Sequence, residues 1–315
     1  MSATLIRIAK RFARRIIGRP ILGRSILIYH RVAQADFDPW NIAVSPNEFE
    51  RQLASLRSKV VLPLREFVTL HTRKRLPRNA VAITFDDGYA CNALVAAPML
   101  ESFNYPATFF VVSDPIARGE EFWWDQLEFI FHAPDFNYER AVDLLNIYST
   151  KVNQGIRPES TIPIVAFFSL WRLARCLSTE QRRRYLDELR QCMGLEKLTR
   201  PTHRPMTEAE LRALAANPLF EIGGHTANHP SLPMLDPAEQ EREIVSGSRF
   251  LETKVGKPIR SFSYPFGDWG QLTRDIVMAA GFECALTAAH RRVRSDDNPF
   301  ELPRRQIVNR NAVTL

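Results

Sequence analysis

Short apolar runs bounded by turn residues recur along the chain and predict β-strands. Stretches with apolar residues at helical spacing separate several of these runs. Alternation of this kind predicts parallel βα units, arranged in an open sheet or a barrel. The seven predicted strands are Ser25–His30, Ala80–Phe85, Ala107–Val112, Leu219–Gly223, Ile259–Tyr264, Glu283–Ala288 and Gln306–Asn309.

Helix starts are marked by capping residues. In each case a side chain with an acceptor oxygen precedes apolar residues at helical spacing, and a glutamate or a proline follows in the first turn. These starts are at Ser45, Thr207 and Asp236.

The alternation stops between about residues 119 and 205, where the apolar spacing is helical throughout and no strand is predicted. This segment is predicted to be a helical insertion, with one capped helix from Ser178 to Gly194. Its aromatic residues, among them Trp123, Trp124 and Phe167, are expected to form a small core of their own. A few of them could line a substrate cleft instead.

Positive charge is concentrated at the N-terminus. The formal net charge is +7, but residues 1–24 hold seven basic side chains and no acidic one, so the remaining 35 basic residues balance the 35 acidic residues. A neutral body is not expected to bind nucleic acid. Apolar residues fill one half of a helical wheel over residues 5–17. This pattern predicts an amphipathic helix that either contacts an anionic membrane surface or packs on the body.

Targeting signals are not evident in the sequence. No run reaches the roughly 18 to 20 apolar residues that a membrane-spanning helix needs. The N-terminal segment has neither the continuous apolar region nor the cleavage site of a signal peptide. The four cysteines are scattered. We therefore expect a cytoplasmic protein with reduced thiols, peripheral at the inner face of the membrane if residues 5–17 bind lipid. The sequence does not predict an oligomeric state.

Two predicted strands end in residues that can bind a metal ion. Asp86 and Asp87 follow the second strand, where two adjacent buried carboxylates need a cation or a shared proton, although a turn with an aspartate cap also accounts for them. His225 and His229 follow the fourth strand at a spacing found among metal ligands, and also found by chance. Together with Asp87 they give a two-histidine, one-carboxylate set that leaves positions open on Zn²⁺ or Fe²⁺.

Three segments in this order resemble the polysaccharide deacetylases, also called carbohydrate esterase family 4 or the NodB homology group. They are TFDDG at 84–88, HTANHP at 225–230 and SYPFG at 263–267. The segments ILIYHRV, SPNEFERQL and FELPR resemble the branch that acts on bacterial surface polysaccharides. The resemblance spans about residues 25–118 and 206–310 and does not cover the insertion.

The resemblance implies a distorted (β/α)7 barrel that hydrolyses acetyl groups, mostly N-acetyl, on sugars with one divalent metal ion. Asp87, His225 and His229 would bind the ion, for which Zn²⁺ is the first candidate and Co²⁺, Ni²⁺ and Fe²⁺ are alternatives. Asp86 would be the general base that takes a proton from the attacking water. The backbone N–H of Phe266 would donate a hydrogen bond to the oxyanion.

Two functional residues of the family have no clean match. The arginine that braces the base in many members aligns with Ser263, so either Arg260 is the brace or the brace is absent. The late histidine that protonates the leaving amine has no counterpart at the family spacing, and His290 is the candidate general acid. His30, which ends the first predicted strand, is expected near the barrel mouth in a supporting or structural role.

The chain is thus predicted to consist of a basic helix at residues 1–24 and a barrel at 25–315 that the insertion interrupts. The predicted function is removal of an acetyl group from an amino sugar of a bacterial polysaccharide, or of its soluble or lipid-linked precursor. A deformylase or another amide hydrolase of the same fold is the near alternative. A catalytically inactive glycan-binding barrel is the alternative of a different class. The presence of all four candidate site residues, two aspartates and two histidines, argues against it.

Overall fold

Ten strands are present in the computed structural model, which describes residues 23–148 and 163–309. Eight of them form one sheet and two form a separate short pair. The strands are β1 (Ser25–Tyr29), β2 (Arg31–Val32), β3 (Ala43–Val44), β4 (Val60–Val61), β5 (Ala80–Phe85), β6 (Ala107–Val111), β7 (Phe220–Gly224), β8 (Ser261–Ser263), β9 (Cys284–Leu286) and β10 (Arg305–Gln306).

The large sheet is parallel throughout and forms a distorted (β/α)7 barrel, as the sequence predicts. Its strand order is β10-β1-β5-β6-β7-β8-β9. β4 pairs with the start of β5 and β6 pairs with its end, so these two strands share one edge of β5. β9 approaches the segment before β10 through an isolated bridge between Leu286 and Leu302. Because all strands run in one direction, the residues that follow them meet at one edge of the barrel.

Eleven helices are found within the described ranges. Those between β6 and β7 are α4 to α9, and the predicted insertion falls in this purely helical part of the described chain. The helices are α1 (Pro46–Ser55), α2 (Leu64–Thr72), α3 (Ala97–Phe103), α4 (Ser113–Arg118), α5 (Trp123–Phe131), α6 (Tyr138–Tyr148), α7 (Pro163–Ala174), α8 (Thr179–Cys192), α9 (Glu208–Ala216), α10 (Pro237–Val255) and α11 (Gln271–Ala279).

The predicted helix caps are confirmed. The side chains of Ser45, Ser178, Thr207 and Asp236 each accept a hydrogen bond from the backbone N–H three residues further on. The last three form complete capping boxes. A cap of this kind contributes about 1 kcal/mol to the stability of its helix.

The buried apolar residues of the insertion form a hydrophobic cluster distinct from the main cluster of the barrel, and Tyr89 and Val112 of the barrel join it. In the barrel, Phe85 on β5 and Phe109 on β6 stack with ring centroids 4.9 Å apart, an arrangement worth roughly 0.5–1.5 kcal/mol beyond the buried area. In the insertion, Phe122, Trp124 and Phe167 are buried in the second core. The expectation that the insertion aromatics form their own core is therefore confirmed.

The structure extends the strand predictions in one respect. Each of the seven predicted strands overlaps an observed strand, but the last, predicted at Gln306–Asn309, is found at Arg305–Gln306. β2, β3 and β4 were not predicted, because a strand of two residues carries too little alternation to be recognised. No helix in the described part of the chain has the length and apolar character needed to cross a bilayer. The amphipathic helix predicted at residues 5–17 lies outside the described residues.

Candidate metal centre and active site

The polar residues singled out by the motifs meet at the carboxyl edge of the barrel. Asp86 and Asp87 follow β5, and His225 follows β7. Asp87, His225 and His229 are all buried, and their ligand atoms lie within 4.8 Å of one another. The structure thus brings together three side chains that are distant in sequence.

The three side chains fit a divalent ion. Oδ1 of Asp87 lies 3.6 Å from Nε2 of His225 and 3.7 Å from Nε2 of His229. Ligand atoms at about 2.1 Å from a tetrahedral ion are about 3.4 Å apart, which is close to these separations. Two imidazole nitrogens and one carboxylate leave further coordination positions open for water and substrate.

A backbone hydrogen bond orients the ring of His225, and burial favours the neutral form of His229. Nδ1 of His225 lies 2.7 Å from the backbone carbonyl of Ser263. Because a carbonyl only accepts, we assign the proton to Nδ1, which leaves the lone pair of Nε2 directed to the ligand set. Burial, followed by neighbouring positive charges that include His225 and Arg182, holds the pKa of His229 well below its ordinary value.

Backbone strain is concentrated at this site. Seven non-glycine residues in the described ranges have a positive φ, and four of them are Asp87 (75°), Thr226 (65°), His229 (54°) and Phe266 (59°). Such conformations cost of order 1–3 kcal/mol each and persist only where surrounding contacts hold them. One such contact is Gly247 of α10, where an added Cβ would lie 2.6 Å from the backbone carbon of Thr226.

Asp86 is held by an arginine that follows β9 in the chain. Nη1 and Nη2 of Arg304 donate hydrogen bonds of 2.6 and 2.7 Å to the two carboxylate oxygens. Ser263 donates a third, of 3.0 Å, from its hydroxyl. Burial would raise the pKa of Asp86, but Arg304, together with His225 and His30, lowers it to about 2. Asp86 is therefore a carboxylate at neutral pH.

The assignment of Arg260 as the brace was wrong. Arg260 precedes β8 and so lies at the amino edge of the sheet, whereas Asp86 follows β5 at the carboxyl edge. Its side chain is 46% exposed and pairs with Glu283. Arg304 is the brace instead. It ends the FELPR segment, which resembles enzymes that act on surface polysaccharides, but the resemblance alone assigned no role to this arginine.

The two candidate histidines outside the ligand set occupy different environments. His290 is exposed, and its Nδ1 accepts a hydrogen bond of 3.3 Å from the backbone N–H of Gln306. His30 directly follows β1, whose last residue pairs with the last residue of β5, so that it enters the same edge as Asp86. Nδ1 of His30 is buried and has no hydrogen-bond partner within the described residues.

Phe266 links the barrel to the insertion. Its ring contacts the His229 ring edge-on, with centroids 4.4 Å apart. Trp171 of α7 packs against its other side at 5.7 Å, and the guanidinium of Arg175 lies 4.1 Å from the ring centroid. Arg175 is in turn paired with Asp268. The turn that carries the proposed oxyanion donor is therefore held from both regions.

A second buried network joins the insertion to the metal-ligand loop, and sequence reasoning missed it. The hydroxyl of Tyr89 donates a 2.7 Å hydrogen bond to Asp125 and accepts one of 2.8 Å from Nε1 of Trp124. Trp124 also packs on His229, with centroids 4.7 Å apart. Burial raises the pKa of Asp125 to about 8. The sequence drew attention to Trp123 and Trp124 only as aromatic residues, since nothing in it shows that the adjacent Asp125 is buried.

A parallel barrel that carries two histidines and two aspartates at its carboxyl edge has the donor groups of a site that could hold a divalent ion. The sequence model described as "Polysaccharide deacetylase" matches residues 73–149 and 181–285. The chain belongs to the polysaccharide deacetylase family.

Among curated proteins, the chain is similar to the poly-beta-1,6-N-acetyl-D-glucosamine N-deacetylase of Staphylococcus aureus (strain MSSA476), with 32% identity over 109 residues. That match covers 30% of this chain and 37% of the relative. The chain thus matches little more than a third of the length of this relative.

Solved structures share the fold over most of the chain. The deacetylase PplD of Streptococcus pyogenes has a TM-score of 0.60 and 16% identity, covering 92% of this chain and 94% of that one. IcaB of Ammonifex degensii has a TM-score of 0.58 and 20% identity, covering 93% and 94%. The de-N-acetylase of Aggregatibacter actinomycetemcomitans has a TM-score of 0.56 and 19% identity, covering 90% and 94%.

Proposed function

We propose that this protein is a metal-dependent deacetylase that removes an acetyl group, N-linked in the first instance, from an amino sugar of a bacterial exopolysaccharide or its precursor. The observation that carries the proposal is the buried triad of Asp87, His225 and His229 beside an ionised Asp86. The name of the Staphylococcus aureus relative makes an N-acetylglucosamine polymer the first substrate class to test.

The metal ligands in this proposal are Asp87, His225 and His229. Zn²⁺ suits two imidazole nitrogens and a carboxylate, and Co²⁺, Ni²⁺ and Fe²⁺ accept the same donors. Bound there, a divalent ion supplies a Lewis acid that polarises the acetyl carbonyl and makes a water molecule more acidic.

Asp86 is the proposed general base. Its carboxylate is ionised at neutral pH, and Arg304 and Ser263 fix its orientation through three hydrogen bonds. A base that is held in place needs no reorganisation when it takes the proton from the attacking water. The backbone N–H of Phe266 is the proposed donor to the developing oxyanion, because its strained turn is fixed by contacts with His229 and Arg175.

We assign protonation of the leaving amine to His30 in preference to His290. His30 enters the site edge beside Asp86, and its half-buried ring carries a buried nitrogen without a hydrogen-bond partner in the described chain. His290 is exposed and already accepts a backbone hydrogen bond. We expect His30→Gln to lower kcat about 10²- to 10⁴-fold, as loss of a general acid does, while His290→Gln retains most of the wild-type kcat. The reverse result would return the role to His290.

We further propose that the protein is cytoplasmic and that residues 5–17 bring it to an anionic membrane, where a lipid-linked precursor resides. The support is the segregation of apolar and basic residues in the sequence of that segment. Sedimentation with vesicles containing anionic lipid tests the proposal on the full chain. A variant lacking residues 1–20 should lose binding, and unchanged binding would refute the membrane role.

The central experiment measures metal content and acetate release together. The substrates are oligomers of β-1,6-linked N-acetylglucosamine and nucleotide-linked and lipid-linked N-acetylated sugars. We expect one divalent ion per chain, and acetate release that chelation abolishes. Asp86→Asn should lower kcat about 10²- to 10⁴-fold while the ion stays bound. The matched control is Asp275→Asn, since that carboxylate is 53% exposed on α11.

Other outcomes separate the alternatives. Release of formate from N-formyl sugars without acetate release would identify a deformylase of the same fold. Binding of glycans without hydrolysis of either group would identify a non-catalytic barrel. Failure to retain any divalent ion would overturn the assignment of the three ligands.

A further inference from the structure

A cavity lies between the insertion and the loop that carries His229. Its volume is about 120 Å³, and residues of α4, α5 and α8 line it together with Asn228. Asn228 immediately precedes the proposed ligand His229, so the cavity borders the loop that carries this ligand. One buried water needs about 10–15 Å³, and this volume therefore accommodates a polyatomic group.

Arg182 is a buried guanidinium in the wall of this cavity. The residue is 2% exposed, and its Nη1 has no hydrogen-bond partner among the described residues. Its guanidinium carbon lies 4.7 Å from the centroid of the Trp123 ring. Burial lowers the pKa of Arg182 to about 10, so it stays charged at neutral pH. A buried cation with an unsatisfied N–H is costly unless something pairs with it.

The carboxylates around the cavity are already engaged. Each of the four acidic residues that line the cavity forms an ion pair with a basic residue other than Arg182. The pairs are Asp114 with Arg118 and Arg183, Glu120 with Lys197, Glu121 with Arg200, and Asp187 with Arg190.

Glu243 is the further carboxylate whose charge acts on Arg182. Its oxygens accept hydrogen bonds of 2.8 and 2.9 Å from the backbone and side-chain nitrogens of Asn228. Burial raises the pKa of Glu243, which weakens it as a counter-charge. Nη1 of Arg182 therefore has no acceptor among the described residues, and the guanidinium borders a cavity that could supply one.

We propose that this cavity binds an oxyanion, the phosphate or carboxylate group of an acidic glycan, with Arg182 as its principal ligand. A guanidinium donates parallel N–H bonds that match the oxygens of such groups. That the anion is carried by the substrate, next to the sugar that is deacetylated, rests on the proposed function. Anion binding itself does not depend on it.

The test titrates inorganic phosphate and glucuronate separately into the full-length protein, by calorimetry and by thermal unfolding. The variants are Arg182→Gln and, as matched control, Arg184→Gln, because Arg184 is an exposed arginine of the same helix paired with Glu180. Each titration is repeated after chelation, since phosphate also binds divalent ions. Arg182→Lys, which keeps the charge, serves if the glutamine variant does not fold.

We expect saturable binding of at least one of the two anions, weakened about tenfold or more in Arg182→Gln and less than about twofold in Arg184→Gln. Tighter binding of phosphate would indicate a phosphorylated sugar, and tighter binding of glucuronate an acidic sugar. Equal binding by all variants, or no binding by the wild type, would overturn the proposal. Anion binding that requires Arg182 in a protein without acetate release would refute the proposed function and leave the cavity assignment intact.

Discussion

Two aspartates buried to the same depth, one in the barrel and one in the insertion, have pKa values shifted in opposite directions. Asp86 is 3% exposed and Asp125 is 2% exposed. Burial raises both pKa values, yet the pKa of Asp86 falls to about 2 and that of Asp125 rises to about 8. Arg304 donates paired hydrogen bonds to the carboxylate of Asp86. Asp125 accepts a hydrogen bond from the hydroxyl of Tyr89, and the charges of Arg31 and Arg200 lower its pKa by less than burial raises it.

The difference shows that the partner of a buried acid decides its charge, because the cost of desolvation is common to both sites. At neutral pH the barrel edge holds an ionised carboxylate suited to accept a proton. In the insertion, Asp125 is a protonated acid that connects Tyr89 to α5. The barrel thus provides the carboxylate that can accept a proton, and the insertion provides structural support. The two regions meet at the ligand loop, where Trp124 packs on His229.

The largest effect is expected on removal of Arg304, because the difference between Asp86 and Asp125 depends on it. In Arg304→Met, Asp86 is left buried without its counter-charge, so its pKa rises toward that of Asp125. Breaking a buried pair in this way costs about 3–5 kcal/mol, which chemical denaturation measures. Arg260→Met is the matched control and should change the unfolding free energy by less than about 0.5 kcal/mol. Equal losses in the two variants would contradict the assignment of Arg304.

The case of Arg304 also shows where prediction from sequence ends. The seven strands, the caps and the metal triad could be predicted, because each depends on a local pattern or on residues next to a strand end. The brace could not, because Asp86 and Arg304 are 218 positions apart and their contact exists only once the barrel brings β1, β5 and β10 together. Arg260 was chosen for its nearness in sequence, and the direction of β8 places it at the wrong edge.

The contacts made by the insertion could not be predicted from the sequence either. A sequence shows that Trp124 and Asp125 are adjacent but not that one packs on a metal ligand while the other accepts a hydrogen bond from Tyr89. The buried Nη1 of Arg182 depends in the same way on the packing of α5, α8 and the ligand loop. Patterns of three or four residues predict where helices and strands form. Which polar groups become buried depends on tertiary packing.

A smaller effect is expected where α10 supports the ligand loop from the barrel side. In Gly247→Ala the new methyl group would lie 2.6 Å from the backbone carbon of Thr226 and 2.8 Å from the backbone nitrogen of Ala227. The loop must shift and carry His229 with it. We expect metal affinity to fall about 10- to 100-fold, as it does when groups that orient ligands are disturbed. Competition with a chromogenic chelator measures this change.

The control for the loop is Ser246→Ala on the same helix, one residue earlier. Ser246 is exposed and donates a hydrogen bond to the backbone carbonyl of Arg242. Its replacement should leave metal affinity within about twofold of the wild type. Wild-type affinity in Gly247→Ala would show that α10 does not determine the position of His229.

The smallest expected effect is the change in folding stability for each unit of pH when Asp125 is replaced. In the unfolded chain this aspartate loses its proton near its ordinary pKa of 3.8, but in the folded protein it does so only near pH 8. Between these values the unfolded state binds fewer protons, so Asp125 makes the folded state progressively less stable as pH rises from about 4 to 8. Asp125→Asn removes this contribution, and its stability relative to wild type should therefore increase over that range.

The side-chain amide in Asp125→Asn can still accept the hydrogen bond from Tyr89, but its NH₂ group introduces buried donors that offset part of the gain. We expect the stability of Asp125→Asn relative to wild type to rise by about 1 kcal/mol for each pH unit between pH 5 and 8, because one pKa unit is worth about 1.4 kcal/mol. Denaturant unfolding of both proteins from pH 5 to 8 measures the difference directly, so that titration of all other groups cancels. Asp135→Asn, an exposed change in the same insertion, should show no such slope. A constant difference between Asp125→Asn and wild type across this range would mean that Asp125 is ionised in the folded protein, and the two aspartates would then be alike.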